Sequence, residues 1–256
     1  MLNADDLQNR TIHPAELFEQ LADKSREIFN RGKTLPLVVV DVDDCLLDKR
    51  PRVMKVLADL IMDQNPEIPL TDEHRTAIAS IKPRTMKFDL KDTLRDVGIV
   101  EEGILGWIQE QYDKKATSDQ YIMFDLPTPG IVDFIKELSK AGSTTLYLAG
   151  KRNRNKSTFG TERSLSMYEL PAPRGEVGAL FMSDVDGADE FKFKQDLIKP
   201  ITEAGEVIAV FDNEPNACNL FRKQFPDASV VLVDTFRENE DELADGIHVV
   251  KNFLRT

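Results

Sequence analysis

Two aspartates, Asp41 and Asp43, follow directly after an apolar run at residues 37–40. Carboxylates are costly to place beside so apolar a segment unless a charged or hydrogen-bonding partner compensates for them. In open α/β sheets the ligand crevice lies beyond the carboxyl ends of the strands, which is where this pair would sit. One acid could face an incoming phosphorus atom while the other turns toward the leaving oxygen. The spacing favours a phosphoryl-transfer site, with a turn capped by the two aspartates as the alternative.

The elements that would position these aspartates alternate between buried strands and amphipathic helices. Runs rich in Val, Ile and Leu without strict alternation are typical of parallel strands that are buried on both faces. Such runs occupy residues 37–40, 145–148, 178–182, 207–211, 230–233 and, more weakly, 247–250. Helical patterns lie between them at 130–141, 191–201 and 217–224. This order predicts an α/β fold with a doubly wound, mostly parallel, Rossmann-like sheet.

One interval breaks this alternation and predicts an inserted subdomain. From residue 46 to residue 124 there is no convincing buried strand, only helical patterns such as 53–62, 73–81 and 103–112. A structureless loop of that length is uncommon inside a compact sheet. We therefore predict an α/β core formed by residues 1–45 and 125–256, with an N-terminal helix at about 13–31. Residues 46–124 would form a helical cap insertion.

The composition excludes several classes of function. The 256 residues include 45 acidic and 33 basic side chains, which give a formal net charge of -12. A nucleic-acid-binding surface is not expected, because phosphate contacts need a basic footprint. The two cysteines form no CxxC pair, and the three histidines show no zinc-ligand spacing. With no signal-peptide pattern and no apolar run near the ~18–20 residues needed to cross a bilayer, we expect a cytoplasmic protein without membrane contacts.

Asp41-x-Asp43 after a hydrophobic strand resembles the first motif of the haloacid dehalogenase (HAD) superfamily, most of whose members are phosphohydrolases. The fourth motif of that family is similar to the segment 207–216, in which Asp212 matches the metal-binding acid. Asp212 could instead cap the helix that follows it. Insertion after the first motif is where HAD proteins carry the helical cap called type C1. The resemblance therefore implies a phosphatase-like hydrolase with such a cap.

The other two HAD motifs are matched less fully. Lys192 resembles the lysine of the third motif, with Lys194 as the alternative. At the second motif Ala149 stands where the family carries a Thr or Ser hydroxyl, and loss of one such donor typically costs ~3–4 kcal/mol of transition-state stabilisation. The basic run that follows is more typical of a solvated loop than of a replacement donor. The phosphate-binding residues implied by this motif are Gly150, Lys151 and Arg152.

The resemblance also implies a mechanism and a cofactor. Mg²⁺ would be held by Asp41, the backbone carbonyl of Asp43 and Asp212. Asp41 would attack the phosphoryl group of a small phosphorylated metabolite, Asp43 would serve as general acid and base, and Lys192 would neutralise charge. The alternative is a non-catalytic or weakly active HAD-fold binding or regulatory protein, which Ala149 favours. A receiver-type signalling domain and a dehalogenase fit the motifs less well. The substrate and the oligomeric state stay open.

Overall fold

The computed structural model describes residues 4–63, 70–238 and 240–255. The strands are β1 (Pro36–Asp41), β2 (Leu47–Asp48), β3 (Leu126–Pro127), β4 (Thr144–Asn153), β5 (Gly178–Ser183), β6 (Glu206–Asp212), β7 (Ser229–Val233) and β8 (His248–Val250). Six of them form a parallel sheet in the order β5-β4-β1-β6-β7-β8. The remaining two, β2 and β3, pair antiparallel in a small second sheet.

Helices cover the large sheet and fill the segment between β2 and β3. They are α1 (Ala4–Asn9), α2 (Pro14–Arg31), α3 (Arg50–Met62), α4 (Asp72–Ala79), α5 (Leu90–Asp96), α6 (Glu102–Ala116), α7 (Asp119–Ile122), α8 (Ile131–Lys140), α9 (Arg154–Met167), α10 (Glu190–Ala204) and α11 (Pro215–Gln224). A 3-10 turn lies at Pro83–Thr85. Within the described ranges, none of these helices combines the length and the apolar character that crossing a bilayer requires.

Apolar side chains pack on both faces of the large sheet. Val38 and Val40 of β1 belong to a buried cluster with residues of α2, α8 and α9. Leu37 and Val39 belong to a second cluster, with residues of α10 and α11. Because both faces are covered, the strands carry apolar residues without alternation. The predicted α/β fold with a doubly wound parallel sheet is confirmed.

The topology of the sheet brings distant acidic segments to one edge. Strand β1 lies between β4 and β6, so its two neighbours come from separate parts of the chain. Asp41 is the last residue of β1, and Asp212 is the last residue of β6. In open α/β sheets the crevice at such a switch in strand order is the usual place for a ligand. Asp41 and Asp212 therefore lie at the ends of neighbouring strands.

The segment between β2 and β3 has a core of its own. In its described residues it contains α3 to α7 and the 3-10 turn, and no strand. Its apolar cluster is separate from the two clusters on the sheet and includes Val56, Leu57, Leu94, Leu105, Trp107 and Ile108. Leu47 pairs with Pro127 and Asp48 with Leu126, so the small sheet forms the entrance and exit of this segment. The limits 46 and 124 for a separate domain stay a prediction.

The chain after Gly150 differs from the expected solvated loop. Strand β4 continues to Asn153, and α9 begins at the next residue. Asn153 caps this helix, because its side-chain oxygen accepts the backbone amide of Asn155 at 2.8 Å. The side of α9 that is buried carries mainly small residues, so no apolar stripe marks the helix in the sequence. These residues are Ser157, Gly160, Thr161, Ser164 and Leu165.

Candidate active site

Four charged side chains meet at the carboxyl ends of β1 and β6. Lys194 of α10 places its Nζ 2.9 Å from Oδ1 of Asp41 and 2.7 Å from Oδ2 of Asp212. The same ammonium lies 3.1 Å from Oε1 of Glu190, one turn earlier in α10. The side chains of Asp41, Asp212 and Lys194 are each about 1% exposed. One buried cation is therefore shared by three carboxylates.

Three carboxylates around one ammonium leave an excess of negative charge in a buried volume. Burial raises the pKa of Asp41 well above its ordinary value, and the charge of Lys194 offsets this only in part. Burial likewise raises the pKa of Asp212. Burial alone would lower the pKa of Lys194, but Asp212 and Asp41 raise it, so the ammonium keeps its proton. The cluster is electrostatically suited to a further cation.

Glu190 also contacts a second lysine, just after the apolar part of β4. Its Oε2 lies 2.9 Å from Nζ of Lys151. Burial alone would raise the pKa of Glu190, but the charges of Lys194 and Lys151 outweigh burial and lower it to about 2. Sequence reasoning missed Glu190. Its only signal is a position four residues before Lys194, the spacing at which helical side chains meet.

Asp43 accepts hydrogen bonds from two arginines. Arg152 donates from Nε to Oδ2 and from Nη2 to Oδ1, both at 2.9 Å. Arg52 of α3 donates from Nη2 to Oδ1, also at 2.9 Å. Burial alone would raise the pKa of Asp43, but Arg152 and Arg52 hold it well below its usual range. The expected role of Asp43 as a proton donor conflicts with this geometry, because the carboxylate is held in its ionised form.

Arg152 is fully engaged by protein groups. Besides Asp43, it contacts Oδ2 of Asp125 at 2.8 Å and Oγ1 of Thr161 at 3.1 Å. Arg52 completes the network with its Nε 3.0 Å from Oδ1 of Asp125. The expected phosphate-binding role of Arg152 conflicts with this geometry, since its guanidinium already serves two carboxylates. Sequence reasoning did not find Arg52 or Asp125, because neither residue stands in a recognisable motif.

Two cavities border the charged cluster. The smaller one, of about 390 Å³, is lined in part by Lys151, Glu190 and Lys194. The larger one, of about 880 Å³, lies between the insertion and the core and is lined in part by Asp43, Lys91 and Lys151. Lys151 lines both and so connects them. Cavities of this size accommodate small-molecule ligands.

No family model and no curated protein matches this sequence. A candidate phosphatase of known structure from Clostridium difficile is 15% identical, with a TM-score of 0.55 over 86% of this chain and 95% of that one. A candidate haloacid dehalogenase-like hydrolase from Bacteroides fragilis is 15% identical over 85% and 97%, with a TM-score of 0.49. CbbY from Rhodobacter sphaeroides, solved in complex with phosphate, is 12% identical over 86% and 95%, also with a TM-score of 0.49. The chain therefore shares its fold with the Clostridium difficile structure.

The lysine beside Asp41 and Asp212 is Lys194 and not Lys192. Lys192 is 65% exposed, and its Nζ lies 3.0 Å from Oδ1 of Asp196 on the surface of α10. Residues two apart in an α-helix differ by about 200° around the helix axis, so only one of the pair can face the sheet. The expected placement of Lys192 at the site is wrong, and the alternative lysine takes it.

The residue of β4 that could carry the expected hydroxyl has to be judged from the pleat of the strand. The side chain of Ala149 packs in the apolar cluster on the face of the sheet away from α10. Leu148 packs on the face that α10 covers. Gly150 continues on that face, because a Cβ built on it would lie only 2.7 Å from the ring of Phe193 in α10. Asp41 pairs with Leu148, so the next residue of β4 on the face that carries Asp41 is Gly150, which has no side chain, and not Ala149.

The carboxylates at the ends of β1 and β6 offer oxygen atoms as possible metal ligands. Neither carboxylate oxygen of Asp41 has a hydrogen-bond partner, although Oδ1 contacts Lys194. Asp212 uses one oxygen to accept the backbone amide of Glu214 at 3.0 Å. Across the described residues, no three His, Cys, Asp or Glu side chains are grouped so that they could hold a metal. Asp41 and Asp212 thus offer carboxylate oxygens, the type of ligand that Mg²⁺ prefers together with water.

Proposed function

We propose that the chain is a Mg²⁺-dependent phosphohydrolase that acts on a small phosphorylated metabolite through a phosphoaspartate on Asp41. The observation that carries this proposal is the position of Lys194, whose ammonium contacts both Asp41 and Asp212 where β1 and β6 end. Phosphoryl transfer is catalysed mainly by positioning and by stabilisation of charge on the transferring group. A fixed, buried cation next to an aspartate supplies both.

Asp41 is the nucleophile in this proposal. One of its carboxylate oxygens attacks phosphorus, the bond between phosphorus and the leaving oxygen breaks, and the leaving group takes a proton from water. Water then attacks the phosphorus atom of the phosphoaspartate, which releases inorganic phosphate and restores the carboxylate. Lys194 keeps its proton and offsets charge on the phosphoryl oxygens. The two arginines around Asp43 hold the turn after β1 in place.

Asp41, Asp212 and the backbone carbonyl of Asp43 are the groups that would hold Mg²⁺. When bound, the ion supplies positive charge that neutralises phosphoryl oxygens as charge develops on them. The excess of buried carboxylates supports a cation here, since burial raises the pKa of both Asp41 and Asp212 in the protein alone. Binding of a divalent ion would favour their ionised forms.

Substrate selection is assigned to the insertion. Its residues Lys49, Lys91 and Tyr112 line the larger cavity, opposite Lys151 of the core. A helical segment in this position would cover the bound substrate and exclude bulk water from the reacting group. The polar and cationic lining supports a phosphorylated metabolite as the ligand.

The proposed function is tested by hydrolysis of p-nitrophenyl phosphate and of a panel of phosphorylated metabolites, with and without Mg²⁺. Asp41→Asn should remove the Mg²⁺-dependent activity, because an amide oxygen is a poor nucleophile. Asp133→Asn is the matched control, since Asp133 is exposed on α8 and has no place at the site. Full activity of the Asp41→Asn protein would end the assignment of the nucleophile.

A second candidate is a HAD-fold protein that binds phosphorylated ligands with little turnover. Two observations favour it: Gly150 offers no hydroxyl beside Asp41, and Asp43 is held by two arginines. Loss of one preorganised donor alone costs ~10²–10³ in rate. Binding of phosphorylated metabolites without Mg²⁺-dependent hydrolysis of any of them would select this candidate.

A further inference from the structure

Glu190 lies among the cationic groups that a phosphoryl group would use. Its two carboxylate oxygens contact different lysines, Oε2 with Lys151 at 2.9 Å and Oε1 with Lys194 at 3.1 Å. The Glu190 side chain lines the smaller cavity and is 14% exposed, whereas Asp41, which contacts the same Lys194, is about 1% exposed. One carboxylate therefore spans both lysines at the wall of this cavity.

The packing at Gly150 explains why Glu190 can take this position. A Cβ on Gly150 would lie 3.3 Å from Cγ of Glu190 and 2.7 Å from the ring of Phe193. Glu190 and Phe193 thus fill the volume that a side chain at residue 150 would need. Glu190 can occupy this position because residue 150 has no side chain.

We propose that Glu190 is an internal competitor for the anion subsite formed by Lys151 and Lys194, and that a phosphoryl group must displace its carboxylate to bind. This inference rests on the proposed function in one respect, that the subsite accepts a phosphoryl group. The ligand class is a tetrahedral oxyanion with two negative charges, either inorganic phosphate or the phosphoryl group of a monoester. A ligand with a single carboxylate carries the same charge as the Glu190 side chain and would not displace it. Competition by Glu190 therefore favours ligands that carry two negative charges.

The exchange is physically feasible without rearrangement of the core. Glu190 is the first residue of α10, and its partial exposure gives its side chain a route into the cavity. Displacement gives up charge-assisted contacts with two lysines and replaces them with contacts from a more highly charged group. In the free protein the same contacts neutralise the two lysines, which otherwise would face each other across the entrance.

The test is isothermal titration calorimetry with inorganic phosphate, with and without Mg²⁺, on the full chain. Glu190→Gln removes the charge at nearly constant size, and Glu190→Ala removes the side chain beyond Cβ. Both should bind phosphate at least about tenfold more tightly than the unmodified protein, since the competing charge is gone. Glu203→Gln is the matched control, because Glu203 is exposed on the same helix and pairs with Lys199 at 3.7 Å, away from the two lysines of the subsite.

Unchanged or weaker phosphate binding in both folded variants would overturn the inference, because it would mean that Glu190 only holds the lysines in place. Cooperative thermal unfolding establishes that each variant is folded. If both neutral variants fail to fold, Glu190→Asp replaces them, because it retains the charge on a side chain one methylene shorter. This variant should bind phosphate more tightly than the unmodified protein, by a smaller factor. Unchanged phosphate binding in Glu190→Asp would overturn the inference. Calorimetry measures phosphate binding and needs no turnover, so its result does not depend on whether the hydrolysis assay detects activity.

Discussion

At the residue scale, the pleat of β4 determines which side chain can reach Asp41. Residue 150 points toward α10 and is a glycine, while Ala149 points into the opposite apolar cluster. A hydroxyl for the phosphoryl group would have to stand at residue 150, where the ring of Phe193 leaves no room for a Cβ. In the proposed function, contacts with a phosphoryl group would therefore come from the lysines of the site rather than from a hydroxyl of β4.

Ala149→Thr should consequently lower stability without raising turnover. Ala149 is 1% exposed, so the substitution brings a methyl group and a hydroxyl into an apolar cluster. Overpacking costs about 1–3 kcal/mol, and an unpaired buried hydroxyl adds a penalty of similar size. Urea unfolding measures the stability, and Mg²⁺-dependent hydrolysis of p-nitrophenyl phosphate measures the turnover.

The control for this substitution is Ala244→Thr, at an exposed position in a loop, where we expect a change within about 0.5 kcal/mol. One outcome would contradict this prediction. Increased turnover in Ala149→Thr with undiminished stability would place residue 149, and not residue 150, beside the phosphoryl group.

The sequence predicts the carboxylates of the site better than its cations, for a geometric reason. Asp41 and Asp212 end buried strands, and an apolar run followed by an acid fixes where such a residue must lie. Lys192 and Lys194 both fall within one predicted helix, so the choice between them depends on how that helix is rotated against the sheet. Phe193 and Leu197 of α10 pack on the sheet and set this rotation. Their contacts are tertiary and cannot be read from a local pattern.

At the element scale, Arg52 connects the helical insertion to the core. It stands in α3, yet it contacts Asp43 after β1 and Asp125 before β3. It also donates to the carbonyl oxygen of Ala116, the last residue of α6. Its side chain is 4% exposed. Breaking a buried ion pair by removing one partner is costly, because the remaining charge is left without full compensation.

We expect Arg52→Met to lower the free energy of unfolding by about 3–5 kcal/mol. Methionine preserves most of the volume, so the loss reports the charge and its hydrogen bonds rather than a cavity. Arg95→Met is the control, since Arg95 is in the insertion but forms exposed ion pairs with Asp92 and Glu102, whose loss should matter little. Equal stability of the two variants in urea unfolding would refute a structural role for the Arg52 network.

The helix that sequence reasoning missed shows a limit of periodicity. Helices α8 and α10 present apolar stripes to the sheet, and both are predicted from the sequence. Helix α9 instead buries small residues such as Ser157, Gly160 and Ser164. At Gly160 the backbone of Asp119 comes so close that a Cβ would lie 2.6 Å from its carbonyl oxygen. A helix held by close backbone contact carries no apolar stripe, so its pattern resembles a polar loop.

At the scale of the whole molecule, the net charge of -12 complicates any experiment on cations. Added salt screens the mutual repulsion of surface carboxylates and stabilises an acidic protein without binding to a specific site. The buried cluster of Asp41, Asp212 and Glu190 around Lys194 is different, because surface screening barely reaches it. A specific ion at this cluster has to be separated from the general effect of ionic strength.

We expect Mg²⁺ to raise the thermal unfolding temperature beyond the rise produced by KCl at equal ionic strength. A ligand that binds only the folded state at a hundred times its dissociation constant stabilises by about 2.7 kcal/mol. For a chain of this size that corresponds to an increase on the order of 5–10 °C. Asp212→Asn should abolish the Mg²⁺-specific increment, because it removes one of the two carboxylates, yet retain the increment due to KCl. Equal increments from the two salts in the unmodified protein would show that Mg²⁺ acts only on the acidic surface, and the proposed metal site would then be withdrawn.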